Sequence, residues 1–197
     1  MERWQRIARR IRVPLGFLTA GLYLFELWQR APRAEAIAWS LALVVPGLWL
    51  RGYASGYVKK NRELTVTGPY AHTRNPLYLG SMLMAAGFAA ALGSWLVGVV
   101  LAAGFAIIYV PTIASEERFL RSAFAGFDEY SRRVPRLLPR LTAARGSGGE
   151  EDARGQGFHF RLYLKHREYN AALGAALLYL SLLFLPQLLE KFPPGVR

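Results

Sequence analysis

Two groups of polar residues in this chain have the types and order needed to hold a small charged molecule. The first reads GPYAHTRNPLYLG over residues 68–80, and the second opens on Glu116-Glu117 and runs to Arg140. Gly68-Pro69 is a turn signal, and Pro76 holds Asn75 extended while suiting the first turn of a helix. Asn75 is therefore the expected N-cap of a helix whose first unpaired N–H groups would bind an anionic group. Tyr70 and Tyr78 offer aromatic faces to a cation or planar ring, with hydroxyls left to hydrogen-bond. In the second group, consecutive helical residues point about 100° apart, so Glu116 and Glu117 must divide their roles. Glu116 lies three and four residues before Phe119 and Leu120, on an apolar stripe where a carboxylate needs a partner. Glu117 has Arg121 four residues on, in the order that favours a surface ion pair.

The elements that must bring these groups together are apolar. From Asn75 to Ser115 the 41 residues include no Asp, Glu, Lys or Arg. As helix that run is roughly 60 Å long, about twice a bilayer core. It reads as two spans folded at Gly93-Ser94-Trp95, a hairpin that returns Glu116 to the level of Asn75. Val13 to Trp28, Ala36 to Tyr53 and Tyr169 to Leu189 supply three more spans. The expected fold is all-α, a polytopic integral membrane protein with about five transmembrane helices and a polar site on its cytosolic face. Pro46 and Pro111 fall inside spans, where each frees a carbonyl.

The charge is +12, and its placement decides its meaning. In the five-span scheme 21 Lys and Arg fall on the side of the N-terminus and 4 on the other. The positive-inside rule then makes the N-terminus cytoplasmic. This placement argues for a lipid bilayer rather than nucleic acid as partner. Ala34-Glu35-Ala36 has a small-x-small cleavage pattern, but removing the first span would invert this topology, so the span is read as retained. Without cysteines there is no thiolate chemistry, and His72, His159 and His166 lack metal-site spacing, so no metal is expected.

The organisation expected from composition is a transmembrane core over 1–141, a flexible polar linker over 142–157, and an interfacial segment with a last span over 158–197. Glu26 is expected near the outer interface, beside Trp28.

The stretch RELTVTGPYAHTRNPLYLGS at 62–81, followed by EERFL at 116–120 and DEYSRRVPRLLP at 128–139, resembles the isoprenylcysteine carboxyl methyltransferase and phospholipid methyltransferase superfamily. FRLYLKHREYNAALG at 160–174 is similar to the tail of many bacterial members. The resemblance implies a helical membrane core that binds S-adenosyl-L-methionine at its cytosolic face and methylates a lipophilic or amphiphilic acceptor. It makes Arg62, Glu63, Leu64 and Thr65 the lead-in to the cofactor loop, wraps Tyr70, Asn75, Pro76, Leu77 and Tyr78 around the cofactor, and gives Glu116 one of its polar ends. Glu117 becomes the candidate base, where the acceptor must lose a proton, and Arg133, with Tyr130, a lining residue. The usual Arg-His-Pro is Arg74-Asn75-Pro76 here, which removes a titratable ring. Thr112 stands where prenylcysteine methyltransferases carry an arginine for the substrate carboxylate, which turns the expectation from prenylcysteine toward a lipid amine, hydroxyl or other lipophilic nucleophile. Two rivals remain: an NADPH-dependent membrane reductase of the sterol type, which the adjacent acidic pair disfavours, and a membrane scaffold or carrier without chemistry.

Overall fold

The computed structural model describes residues 2–59, 63–144 and 157–190, with side chains from residue 14 onward. The described residues form seven α-helices and no strand. In order they are α1 (Glu2–Gln29), α2 (Ala34–Ser55), α3 (Pro76–Leu92), α4 (Trp95–Ala123), α5 (Phe127–Arg133), α6 (Phe160–Lys165) and α7 (Tyr169–Leu189), with a 3-10 turn at Gly68–Ala71 before α3. The uncharged run breaks where expected: α3 ends at Leu92, and Gly93 turns the chain with φ +63 before α4 begins at Trp95.

Of the five expected spans, three helices are long and apolar enough to cross a membrane: α2, α4 and α7. Helix α3 is apolar but has 17 residues, about 26 Å, which is short of a hydrocarbon core of about 30 Å. Helix α1 has 28 residues, yet its first half carries Arg3, Arg6, Arg9, Arg10 and Arg12, and Glu26 interrupts its second half. The expected count of five thus stands at three by length and composition. Of the expected linker, residues 145–156 lie outside the described residues.

The chain divides into two compact units. One comprises Met1–Val45, Leu83–Thr112 and Ala172–Arg197. Its core is Leu27, Ala91, Leu92, Val97 and Leu182, with Leu22, Phe88 and Tyr179 packed against it. Polar side chains pair across helices here: Ser40 with Tyr179 at 2.7 Å and Tyr23 with Ser181 at 2.5 Å, so that no hydroxyl is left bare among apolar neighbours. Glu26, expected near the outer interface, is tied to the hairpin turn. Ser94 Oγ donates to Glu26 Oε1 at 2.5 Å, and Arg30 donates to the Gly93 carbonyl at 3.0 Å and to Glu26 Oε2 at 3.3 Å.

The other unit comprises Pro46–Met82 and Ile113–Ala171, and it holds every described residue of the two polar groups. Phe127, Tyr130 and Val134 share one face of α5 and its C-cap, and bury against Leu64, Val66, Leu120 and Ala144. Arg51 of α2 crosses α3 at Gly80, where an added Cβ would stand 2.7 Å from both Arg51 Cγ and the Gly47 carbonyl. Its guanidinium donates to Ser81 Oγ at 2.5 Å, and Nε and Nη2 reach Glu168 Oε2 at 3.1 and 2.8 Å. The segment before α7 is held to the end of α2 by further contacts: His159 N to the Gly56 carbonyl, His166 Nδ1 to the Ser55 carbonyl, and Phe158 stacked on Tyr53.

Candidate functional site

Local geometry begins with Gly68, whose φ of +58 lets the chain enter the 3-10 turn. Its missing side chain also admits the Tyr57 ring, which would stand 2.5 Å from a Cβ there. Pro69, Tyr70 and Ala71 are buried in the turn. Tyr130 of α5 fixes it by donating its hydroxyl to the Tyr70 carbonyl at 2.8 Å. Burial pushes the Tyr70 hydroxyl well above the ordinary tyrosine range, helped by the charges of Tyr130, Glu116, Glu168 and Tyr78. Burial also raises Tyr130, where Arg74 opposes the shift.

The chain then runs through Thr73 and Arg74 to Asn75, which sits at the N-cap position of α3: its carbonyl accepts from Leu79 N at 3.0 Å. Its buried side chain turns away from the helix. Asn75 Nδ2 donates to the Arg136 carbonyl at 3.0 Å, while Thr73 Oγ1 donates to the Leu137 carbonyl at 3.1 Å. Arg74 N donates to the Pro135 carbonyl at 2.9 Å. The VPRLLP segment that closes the second polar group is thereby laced along the residues leading into α3.

The two acidic residues exchange the parts expected of them. Glu117 is the buried one, 6% exposed, and Glu116 the exposed one. Glu117 Oε1 faces Arg74 Nη1 at 2.9 Å, and Arg136 grips both carboxylate oxygens with Nε at 3.1 Å and Nη2 at 2.5 Å. That hydrogen bond to Glu117 raises the Arg136 guanidinium further, against a smaller opposing effect of burial. The expected Glu117–Arg121 pair does not form, because Arg121 reaches Asp128 Oδ1 at 2.7 Å instead. Glu116 accepts the Tyr78 hydroxyl at 2.9 Å, joining the first turn of α3 to the end of the apolar run of α4.

Of the residues expected to form a site, Asn75 and Glu117 are thus joined through Arg136, with Arg74 also on Glu117, Tyr78 is paired with Glu116, Tyr70 is held by Tyr130, and Pro76 opens α3. Leu77 belongs to the same turn of α3, and its carbonyl accepts from Arg51 Nη1 at 3.4 Å. In the lead-in, Glu63 pairs with Lys59 at 2.9 Å, Leu64 packs against the α5 cluster and Thr65 is buried. Arg62 lies outside the described residues. Arg133 is turned outward on α5, where it pairs with Glu129. Sequence reasoning missed Arg136 and Arg51. The signal for Arg136 was its place between Pro135 and Leu137, a charge set in an apolar, proline-bounded segment.

Two buried polar atoms in this region have no protein partner, Arg74 Nε and Thr65 Oγ1. A polar group leaves water only at a cost unless something replaces its hydrogen bonds. Among the described residues, no group of three or more His, Asp or Glu is arranged to hold a metal ion.

The described residues are all-helical, with three helices long and apolar enough to span a bilayer, the architecture of a membrane-embedded helical protein. Residues 37–126, a little under half of the chain, match the phospholipid methyltransferase family. The chain is 46% identical over 99 residues to the cobalt-zinc-cadmium resistance protein CzcN of Cupriavidus metallidurans, a match covering 50% of this chain and 45% of that one. It is 40% identical over 98 residues to the nickel-cobalt-cadmium resistance protein NccN of Alcaligenes xylosoxydans xylosoxydans, with the same two coverages. The matched region thus spans about half the length of these relatives. No solved structure matches the chain significantly.

Proposed function

We propose that this protein is an S-adenosyl-L-methionine-dependent methyltransferase of a bacterial inner membrane, N-terminus in the cytoplasm, acting on a lipophilic acceptor. The observation that carries the reading is the meeting of two polar groups 38 residues apart, through Tyr78–Glu116 and Arg74–Glu117. The residues present fit the cofactor. Arg74 Nε and Thr65 Oγ1 are buried atoms in want of a polar ligand, and the first N–H groups of α3 suit a carboxylate. Glu116, exposed and fixed by Tyr78, suits ribose hydroxyls.

When bound, the cofactor supplies a methyl group already activated on a sulfonium. The chain's own residues then act by holding and excluding. Tyr70 and Asn75, both buried, form the rigid floor of the loop, and Tyr130 fixes that floor from α5. Glu117 positions Arg74 and Arg136. Serving as base would mean loosening two ion pairs, so the geometry favours its positioning role.

Thr112, on α4, donates its hydroxyl to the Ile108 carbonyl at 2.6 Å and offers no cation to a substrate carboxylate. Lipid amines and hydroxyls are therefore the acceptors to try. Both relatives are named for resistance to metal ions, and metal stress is the growth condition under which to look for the acceptor. The test is to supply the purified protein with methyl-labelled cofactor and lipid extract from metal-stressed cells. Label entering the organic phase supports the proposal; a folded protein that transfers none to any fraction contradicts it.

A further inference from the structure

Segment 136–141, RLLPRL, displays leucines that no described residue covers: Leu138 is 81% exposed and Leu141 fully so. Disorder does not explain this, because the backbone is pinned on both sides. Besides the Pro135, Arg136 and Leu137 carbonyls already described, Arg140 N donates to the His72 carbonyl and Ala144 N to the Ala71 carbonyl, both at 2.9 Å. The partners, residues 71–75, lead directly into α3. Arg136 is joined through Glu117 to the point where the apolar run of α4 ends. The two leucines are therefore held at the level where apolar helix gives way to charge.

Around them the charge is mostly positive. Between residues 118 and 140 there are six arginines, 118, 121, 132, 133, 136 and 140, against Asp128 and Glu129. The two acids are engaged by Arg121 and Arg133. Apolar side chains fixed beside surplus arginines fit a surface that is apolar below and anionic above. We infer that segment 136–141 is a wedge into the anionic headgroup layer of the membrane, with Leu138 and Leu141 in the acyl boundary and Arg132 and Arg140 on lipid phosphates. The inference rests on the membrane reading and not on the methyl-transfer chemistry. It gives the segment that carries Asn75 and Thr73 a direct hold on the bilayer.

The chain has no cysteine, so single cysteines can be labelled without background. Leu141→Cys and, on the exposed apolar face of α4, Val99→Cys are labelled with a polarity-sensitive fluorophore in the full protein. Each is placed in nanodiscs of brominated phosphatidylglycerol or brominated phosphatidylcholine. The wedge predicts quenching at both positions. At 141 it predicts a preference for phosphatidylglycerol of roughly fivefold for each arginine engaged, lost in the Arg132→Gln/Arg140→Gln background. Quenching at 99 but not at 141, whether water or another protein covers the label, overturns the wedge and leaves the membrane reading standing. Equal quenching at 141 by both lipids, unchanged by the arginine substitutions, also overturns it. No quenching at either position would overturn the membrane reading itself.

Discussion

Replacing Glu117 with glutamine should be costly, and unequally so for its two partners. The carboxylate side chain is 8% exposed, Arg74 is 15% exposed and Arg136 is 51% exposed. Removing one partner of a buried ion pair costs about 3–5 kcal/mol, because the other charge is stranded. Arg74 is the stranded one: its Nε already lacks a partner and its Nη1 would lose Glu117. Arg136 can turn into water, so its share resembles that of a surface pair, about 0–1 kcal/mol. Since glutamine keeps a carbonyl to accept one N–H, we expect Glu117→Gln to destabilise by about 3 kcal/mol, at the low end of the buried-pair range. For a chain of this size that corresponds to roughly 6–12 °C in melting temperature. Arg136→Gln should cost under about 1 kcal/mol, and adding Arg74→Met to Glu117→Gln should recover part of the loss, because no lone charge remains buried. Thermal unfolding in detergent, followed by circular dichroism, compares these three variants with the wild type and with Arg74→Gln, which should cost more than Arg136→Gln. Equal effects of Arg74→Gln and Arg136→Gln, or a Glu117→Gln protein that melts with the wild type, would refute the argument from unequal burial.

Gly80→Ala should cost about 1–3 kcal/mol by overpacking, since one of the atoms its Cβ would meet at 2.7 Å is the Gly47 backbone carbonyl; the same melt reports it. Tyr130→Phe removes the donor to the buried Tyr70 carbonyl and should lower stability by about 1–2 kcal/mol; if the turn at 68–71 serves the site, it should also weaken ligand binding. Stability should fall as pH rises above 10. The hydrogen bond with Tyr53, together with burial, pushes Tyr57 up to about 12, and burial holds Tyr70 and Tyr130 higher still. The folded state therefore keeps protons that the unfolded chain releases near pH 10, so their contribution is whole below that pH and lost above it. A pH series of melts should show the decline, shallower in Tyr70→Phe.

The hairpin was legible because an uncharged run twice a bilayer long must fold somewhere, and Gly93-Ser94 is its one turn signal. The N-cap position of Asn75 followed equally from Asn-Pro before an apolar helix. The phase of Glu116 and Glu117 was read wrongly from local spacing. Phe119, taken as marking the buried stripe, is itself half exposed, as suits a lipid-facing residue, and the face of α4 that meets protein is the one carrying Ile113 and Glu117. In a membrane helix an apolar stripe does not distinguish lipid from protein. Arg136 and the Arg51–Ser81–Glu168 link were out of reach for another reason: each joins residues far apart in the chain, and no local periodicity encodes such a partner. Glu26 as the anchor of Ser94 was equally out of reach, again a contact across 68 residues.

The central claim is that the residues around Tyr70, Asn75 and Glu116 hold an adenosyl sulfonium cofactor. The direct test is calorimetric titration of the detergent-purified protein with S-adenosylmethionine, S-adenosylhomocysteine and NADPH, for wild type and Glu116→Ala. Saturable binding of both adenosyl ligands, weakened in Glu116→Ala while its melting temperature holds, is the predicted result. Binding of NADPH alone, or of none of the three by a folded protein, would contradict it.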